Sequence, residues 1–349
     1  MLEPTQRIAL FAEATMGLLN AKMTEGILRY GQNPAVAVID STKAGKRVRD
    51  VSTVDSDVPI VAALDEAIAL GAQVLVLGTA PSGGRVPAEW MAMLEQAVAR
   101  GLSIVNGMHD KLAPVFADAL GAGQWVWDIR TPQGELPDIA MARAAALPNS
   151  RILMVGTDMA VGKMTAGLEI ERSLRAQGIN AVFLASGQTG IAITGRGIPL
   201  DAIRVDHAAG AVERMVLDAR DHDVVIVEGQ GSLLHPGSTA TLPLMRGSAC
   251  TGMILCHRAG MTHLDTLTQV PVPPLPEVIA LNEAVAAAAG ALTPARVLGV
   301  ALNTSHLSAH NAKAACAQIE AETGLPTADP VRQRADTLAK AITAAQAKS

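Results

Sequence analysis

Residues 151–178, "RILMVGTDMAVGKMTAGLEIERSLRAQG", decide how the rest of the chain is read. The aliphatic run Ile152–Val155 has strand character and ends at Gly156. Ala166, Ile170 and Leu174 then recur at helical spacing, and Gly178 supplies a stop. A glycine loop ending in Gly162-Lys163 joins strand to helix. That order of elements is the context of a P-loop. Backbone N–H groups of such a loop converge on an anion, and the helix dipole adds to the attraction. Lys163 brings a mobile positive charge, expected to face solvent within the loop. Gly156, Thr157, Asp158, Gly162, Lys163, Met164 and Thr165 are therefore the candidate phosphate cradle.

The loop departs from the common pattern twice. Five residues separate Gly156 from Gly162, where the usual motif has about four. Met164 follows the lysine, and the hydroxyl comes one place later, at Thr165. A helix turns ~100° per residue, so Thr165 does not stand in for a hydroxyl at 164. Anion binding rests on the backbone and Lys163 and survives both changes. Magnesium binding loses its usual side chain, and no metal is expected.

Outward from this loop, short aliphatic runs alternate with helical stretches. The candidate strands are "RIALFA", "AVAVI", "QVLVLG", "SIVNG" and "WVWDI", then "RILMVG", "NAVFLA", "DVVIVEG", "GMILCH", "EVIALNE" and "VLGVALN". Between them lie patterns such as "ALDEAIALGA" and "AEWMAMLEQAVARG". Repeated strand–helix units predict α/β domains, each a mainly parallel sheet with helices on both faces. The proline-broken segment "TPQGELPDIAMARAAALPNSR" interrupts the rhythm. It places a boundary between a domain at 1–147 and a P-loop domain at 148–349.

Composition narrows the class. The chain has 349 residues, a net charge of −5 and 2% aromatic residues. A negative chain without stacking platforms argues against nucleic acid as a partner. Cys250, Cys256 and Cys316 are too scattered for a zinc cluster or a disulfide framework, which fits a reducing cytoplasm. No apolar run reaches the ~18 residues of a membrane span. The stretch "ALNEAVAAAAGALTPARV" is broken by Glu283, Gly290 and Pro294 and reads as an alanine-rich helix.

Further candidates lie at strand ends, where open α/β sheets bind ligands. "LASGQTGIAITGRGIPLDAIRVDHAAGAVE" reads as a long donor-rich loop, with Gln188, Thr189 and Arg196 as substrate contacts. Asp206 near its end is either a catalytic carboxylate or a helix cap. Glu228 follows the aliphatic run of "DVVIVEGQGSLLHPG" and should emerge at a strand's carboxyl end. His235 lies on the next loop. In the first domain, "VLVLGTAPSGGRVP" puts Arg85 in a glycine loop, and "SIVNGMHDKL" puts Asn106, His109 and Asp110 at another strand end. No G-x-G-x-x-G follows the first strand, so a standard dinucleotide site is not expected there.

Taken in order, "GTDMAVGKMT", "SGQTGIAITGRGIPLDAIRVDHAAGAVE", "VEGQGSLLHPG" and "GLPTADPVR" resemble the bacterial D-glutamate N-acetyltransferase family. Members pair a Rossmann-like N-terminal domain with a P-loop C-terminal domain. "GTDMAVGK" and "VEGQG" are also similar to the more distant dethiobiotin synthetases, which carry a hydroxyl directly after the lysine. The resemblance implies transfer of acetyl from acetyl-CoA, the co-substrate, to the amine of D-glutamate or a related acidic amino acid. It implies that the cradle holds coenzyme A phosphates. Glu228, Asp206 and His235 are then the candidate bases, and Arg196 and Arg85 the carboxylate ligands. A homo-oligomer is expected. The alternatives are an ATP-dependent ligase or kinase of the dethiobiotin-synthetase type and a non-catalytic nucleotide-sensing protein.

Overall fold

The aliphatic runs become parallel strands in both halves of the chain. The computed structural model describes residues 2–79, 81–132, 134 and 138–347. Contacts divide the chain into two units, Met1–Gln133 with Gln188–Ala202, and Gly134–Gly187 with Ile203–Ser349.

The first unit carries β1 (Ile8–Phe11), β2 (Ala35–Ile39), β3 (Ile60–Val61), β4 (Val74–Leu77), β5 (Ser103–Asn106) and β6 (Val126–Asp128). Between them run α1 (Lys22–Tyr30), α2 (Leu64–Ala69), α3 (Met91–Ala99) and α4 (Ala113–Phe116). The order across the sheet is β3-β2-β1-β4-β5-β6, with every pairing parallel. Parallel strands covered on both faces need side chains that are apolar in both directions. β1 and β4 meet that demand, with all eight residues buried. Phe11, Leu64, Leu75, Leu94, Ile104 and Phe116 belong to the core beside this sheet.

Strand order reverses at β1, so the ligand crevice of such a sheet lies at the carboxyl ends of β1 and β4. Asp40, just past β2, is fully buried and bonded inside the fold. Its carboxylate accepts the Met16 N–H at 3.0 Å, the Thr42 N–H at 3.0 Å and the Thr42 hydroxyl at 2.7 Å. An acid in this region holds a ribose in dinucleotide domains; here it holds a turn.

The second unit begins with β7 (Ser150–Gly156), α5 (Lys163–Ala176) and β8 (Ala181–Leu184). Next comes α6 (Gln188–Thr194), which counts with the first unit and packs on α1. The rest is α7 (Val205–Asp218), β9 (Val224–Val227), α8 (Thr241–Ser248), β10 (Gly252–Arg258), α9 (Leu275–Ala287), β11 (Arg296–Asn303), α10 (Ala309–Thr323), β12 (Thr327–Ala328) and α11 (Asp336–Gln346). The sheet order is β12-β11-β10-β7-β9-β8, again all parallel. β7 is central: β9 lies between it and the edge strand β8 on one side, and β10, β11 and β12 follow in order on the other.

Three sequence expectations change. "EVIALNE" is helical, inside α9, because Leu275, Val278, Asn282 and Ala286 form one buried stripe at helical spacing. The stretch read as a loop after β8 contains α6, since Ile191, Ala192 and Ile193 bury against the first unit instead of fraying. β3 and β12 have two residues each, too short for a periodic signal. No helix among the described residues is long and apolar enough to cross a membrane.

Arg151 fixes where β7 starts. Its side chain is among the largest that are fully buried. The guanidinium donates to the carbonyls of Ser248, Ala249, Leu147 and Asn149 at 2.7–3.1 Å. Burial lowers its pKa. Replacing it leaves those carbonyls unpaired in the interior, which costs more than the bonds alone. Arg151→Met is expected to lose about 3–5 kcal/mol of unfolding free energy, read from urea midpoints; a loss within ~0.5 kcal/mol would show that the cluster contributes little.

Candidate active site

The P-loop forms at the carboxyl end of the central strand. Thr157 N–H donates to Cys256 O at 3.1 Å, so the loop leaves β7 still paired to β10. Gly162 has φ of 104°, a left-handed turn that only glycine adopts without strain. The helix that follows buries Ala166, Leu168, Ile170 and Leu174.

Lys163 does not face solvent, contrary to expectation. It is buried, and its ammonium donates to Asp158 O at 2.6 Å and Met159 O at 3.0 Å. The lysine folds back over its own loop because the carbonyls there supply acceptors for a desolvated charge. Asp158 is buried too. Its carboxylate accepts the N–H of Met159 at 2.6 Å and of Asp265 at 2.8 Å, which ties the loop after β10 to the P-loop. Thr157 hydroxyl lies 3.0 Å from His257 Nδ1. Burial and then Arg258 push that imidazole down to about 4, so it is neutral at physiological pH. Met164 and Thr165 are half-buried in the first turn of α5. The Thr165 hydroxyl has no partner among the described residues.

Glu228 emerges just past β9 and is buried, with 6% of its surface exposed. One oxygen, Oε2, accepts the N–H groups of Ser186 at 2.7 Å and Gly187 at 3.0 Å. The other accepts no hydrogen bond among the described residues. Burial raises its pKa to about 7, against the pull of the two N–H groups and of Lys163. Gln230 backs this corner, donating to the Ser186 carbonyl and, at 3.2 Å, to its hydroxyl. Gly229 permits the approach: a Cβ there would lie 1.5 Å from Met154 O and 3.0 Å from Lys163 Cδ.

His235 is buried in its own turn, where Nδ1 accepts Gly237 N–H at 3.1 Å and Nε2 faces Thr266 hydroxyl at 3.4 Å. The proton therefore resides on Nε2. Asp206 is exposed in the first turn of α7, and Arg204, not Asp206, is the N-cap. Neither residue is bonded to Glu228 or Lys163. Gln188 and Thr189 open α6, and Arg196 is exposed just beyond it, all in the first unit. Arg85 in that unit pairs with Asp110 at 3.2 Å. Burial pushes the thiols of Cys250 and Cys256 up to about 11 and about 12, so neither is a ready nucleophile. Among the described residues, no group of three or more His, Cys, Asp or Glu side chains is placed to hold a metal ion.

The bonding of Ser186 and Gly187 to the Glu228 carboxylate, and of Gln230 to Ser186, was outside sequence reasoning. The only signal was the glycine-serine content after β8 and the glutamine in "VEGQGS".

Comparison with known proteins agrees with this layout. Residues 41–132 match a domain of unknown function described as the DUF1611_N Rossmann-like domain. Residues 138–339 match the DUF1611_C P-loop domain. A protein of Tritonibacter scottomollicae named D-glutamate N-acetyltransferase is 38% identical over 80% of this chain and 84% of its own length. A second of that name, from a Pseudoalteromonas species, is 35% identical over 78% and 82%. The crystal structure of a DUF1611 family protein from Anabaena variabilis superposes with a TM-score of 0.95 at 46% identity, covering 97% of this chain and all of that one.

The raised pKa of Glu228 has a consequence for stability. A carboxyl whose folded pKa lies above its unfolded value stabilises fully below the unfolded pKa of 4.5, and that stability is lost as pH rises to about 7. Wild type should therefore lose ~1.4 kcal/mol per pH unit through this window from Glu228. Glu228→Gln keeps an acceptor for both N–H groups and removes the slope. Urea midpoints at pH 5 and pH 8 should differ less in the variant; equal differences would contradict burial of the ionised form.

Proposed function

Because this chain belongs to the DUF1611 family, whose curated relatives here are N-acetyltransferases, we propose that it transfers acetyl from acetyl-CoA to the amine of D-glutamate. The chain is an acyltransferase. The finer reading is supported above all by one observation: a buried carboxylate, Glu228, with its pKa at about 7, electrostatically coupled to the P-loop lysine.

The amine of an amino acid is protonated at neutral pH and must lose a proton to attack. A base poised near pH 7 suits that task. Glu228 takes the proton, the amine nitrogen attacks the thioester carbonyl carbon, and the C–S bond breaks as the amide forms. Sulfur leaves as the coenzyme A thiolate, which takes up the second proton that the attacking nitrogen loses as it becomes the amide. The oxyanion formed on the way needs donors, and the backbone N–H groups of a glycine loop supply them. Lys163 and the N–H groups of the 157–163 loop bind coenzyme A phosphates, with Lys163 exchanging Asp158 and Met159 carbonyls for phosphate oxygens. Cys250 and Cys256 stay out of the reaction, so transfer is direct.

The ligase reading draws on the same loop, with Thr165 and Glu228 around Mg-ATP. Met164 in the magnesium-ligand position disfavours it. A thiol-release assay with acetyl-CoA and D-glutamate separates the two. Release should persist without ATP and with chelator present; turnover that requires ATP and magnesium would favour the ligase.

Two substitutions should part binding from chemistry. Lys163→Ala should raise the KM for acetyl-CoA or abolish its binding. Glu228→Gln should lower kcat by about 10²–10⁴-fold with little change in acetyl-CoA KM. In wild type, kcat/KM should rise with pH through an apparent pKa at about 7, and the variant should lack this limb. A Gln variant with wild-type kcat at every pH would remove Glu228 from the chemistry.

A further inference from the structure

Three strand-end loops of the first unit bring together two arginines and a histidine that the P-loop chemistry does not use. Arg85 comes from the loop after β4, His109 from the loop after β5, and Arg130 follows β6. The backbone under them is fixed by a buried polar network. Asp128 accepts the Asn106 side-chain amide at 2.8 Å and the N–H groups of Leu112 and Ala113 at 3.0 and 2.9 Å. Asn106 in turn holds Asp110 O at 2.7 Å and Met108 N–H at 2.9 Å. His109 N–H donates to Gly84 O at 2.8 Å, joining the second loop to the first. Arg130 Nε donates to Gly107 O at 2.8 Å, joining the third.

Each arginine is neutralised on one side only. Arg85 Nη1 meets Asp110 at 3.2 Å, and Arg130 Nη1 pairs with Asp201. Nη2 of each has no partner among the described residues. The Arg130 side chain is only 15% exposed, so its remaining donors are partly desolvated. Burial, Arg130 and Arg85 all lower the pKa of His109, each by more than Asp110 raises it. The imidazole thus sits in a positive potential despite the nearby carboxylate. Open donors, positive potential and a rigid frame at strand ends are what a carboxylate requires.

We infer that Arg85, His109 and Arg130 form a carboxylate-binding site in the first unit, the place where an acidic amino acid is recognised by one of its carboxylates. The ligand class is a small dicarboxylate, and its role as acetyl acceptor rests on the function proposed above. Nη2 of both arginines and one ring nitrogen of His109 are the donors. A bound carboxylate offsets the two guanidinium charges and raises the pKa of His109.

Glutarate tests the site apart from the reaction, since it has two carboxylates and no amine to acetylate. Calorimetry on the full chain should show glutarate binding to wild type. Arg85→Gln/His109→Gln alters two solvent-accessible side chains outside the core, so the fold is kept. It should weaken glutarate binding about tenfold or more, raise the KM for D-glutamate to match, and leave acetyl-CoA binding untouched. Imidazole NMR of wild type should show the His109 pKa rising when glutarate is added. Loss of glutarate binding in the variant supports the site even if no acetyl transfer is found. Wild type that ignores glutarate would overturn it. So would a variant with unchanged glutarate affinity and D-glutamate KM, and acetyl transfer would then still stand.

Discussion

A carboxylate taken out of water at the end of β9 organises the P-loop unit. Glu228 accepts N–H groups from Ser186 and Gly187, so the end of β8 is held to the end of β9 by an ionisable side chain. The next residue, Gly229, lies against β7 and the stem of Lys163 with no room for a side chain. Strand ends, lysine and acid are thereby fixed in one place by contacts that tolerate little displacement. The energetic cost of burying Glu228 appears as its raised pKa. Strain of this kind, kept where it shifts an acid toward neutrality, is common where acids must exchange protons.

The two sheets use their switch points differently. In the second unit the reversal of strand order sits at β7, and the glycine loop exploits it directly. In the first unit the reversal sits at β1, but the acid after β2 is spent on its own turn. Chemistry-bearing side chains there gather at the ends of β4, β5 and β6 instead. A shared architecture therefore does not imply a shared ligand.

Much of this was legible in the sequence, for a physical reason. Strands buried on both faces must be aliphatic throughout, and ten of the eleven runs read as strands fall on strands of the two sheets. The exception, "EVIALNE", has apolar residues compatible with either period; the stripe extending from Leu275 to Ala286 decides for helix. The P-loop was legible because a backbone anion site needs glycine at fixed places. What stayed hidden depends on pairing between distant segments. Nothing local to Arg151 shows that Ser248 and Ala249 bring it their carbonyls. Nothing local to Lys163 shows that it turns back on its loop, and Asp206 looks like a cap only until Arg204 is seen to hold that position.

The free cysteines have a use unrelated to the chemistry. Cys256 pairs in register with Gly156, next to the phosphate loop, and Cys250 lies just before β10. With its pKa at about 12, Cys256 is a thiolate in only about one molecule in 10⁵ at neutral pH. Alkylating reagents can reach it at an appreciable rate only when the sheet opens and the thiol regains its ordinary acidity. Labelling kinetics at Cys256 therefore clock the opening of the strand beneath the P-loop. A ligand that tightens that loop would slow the clock without touching the sulfur.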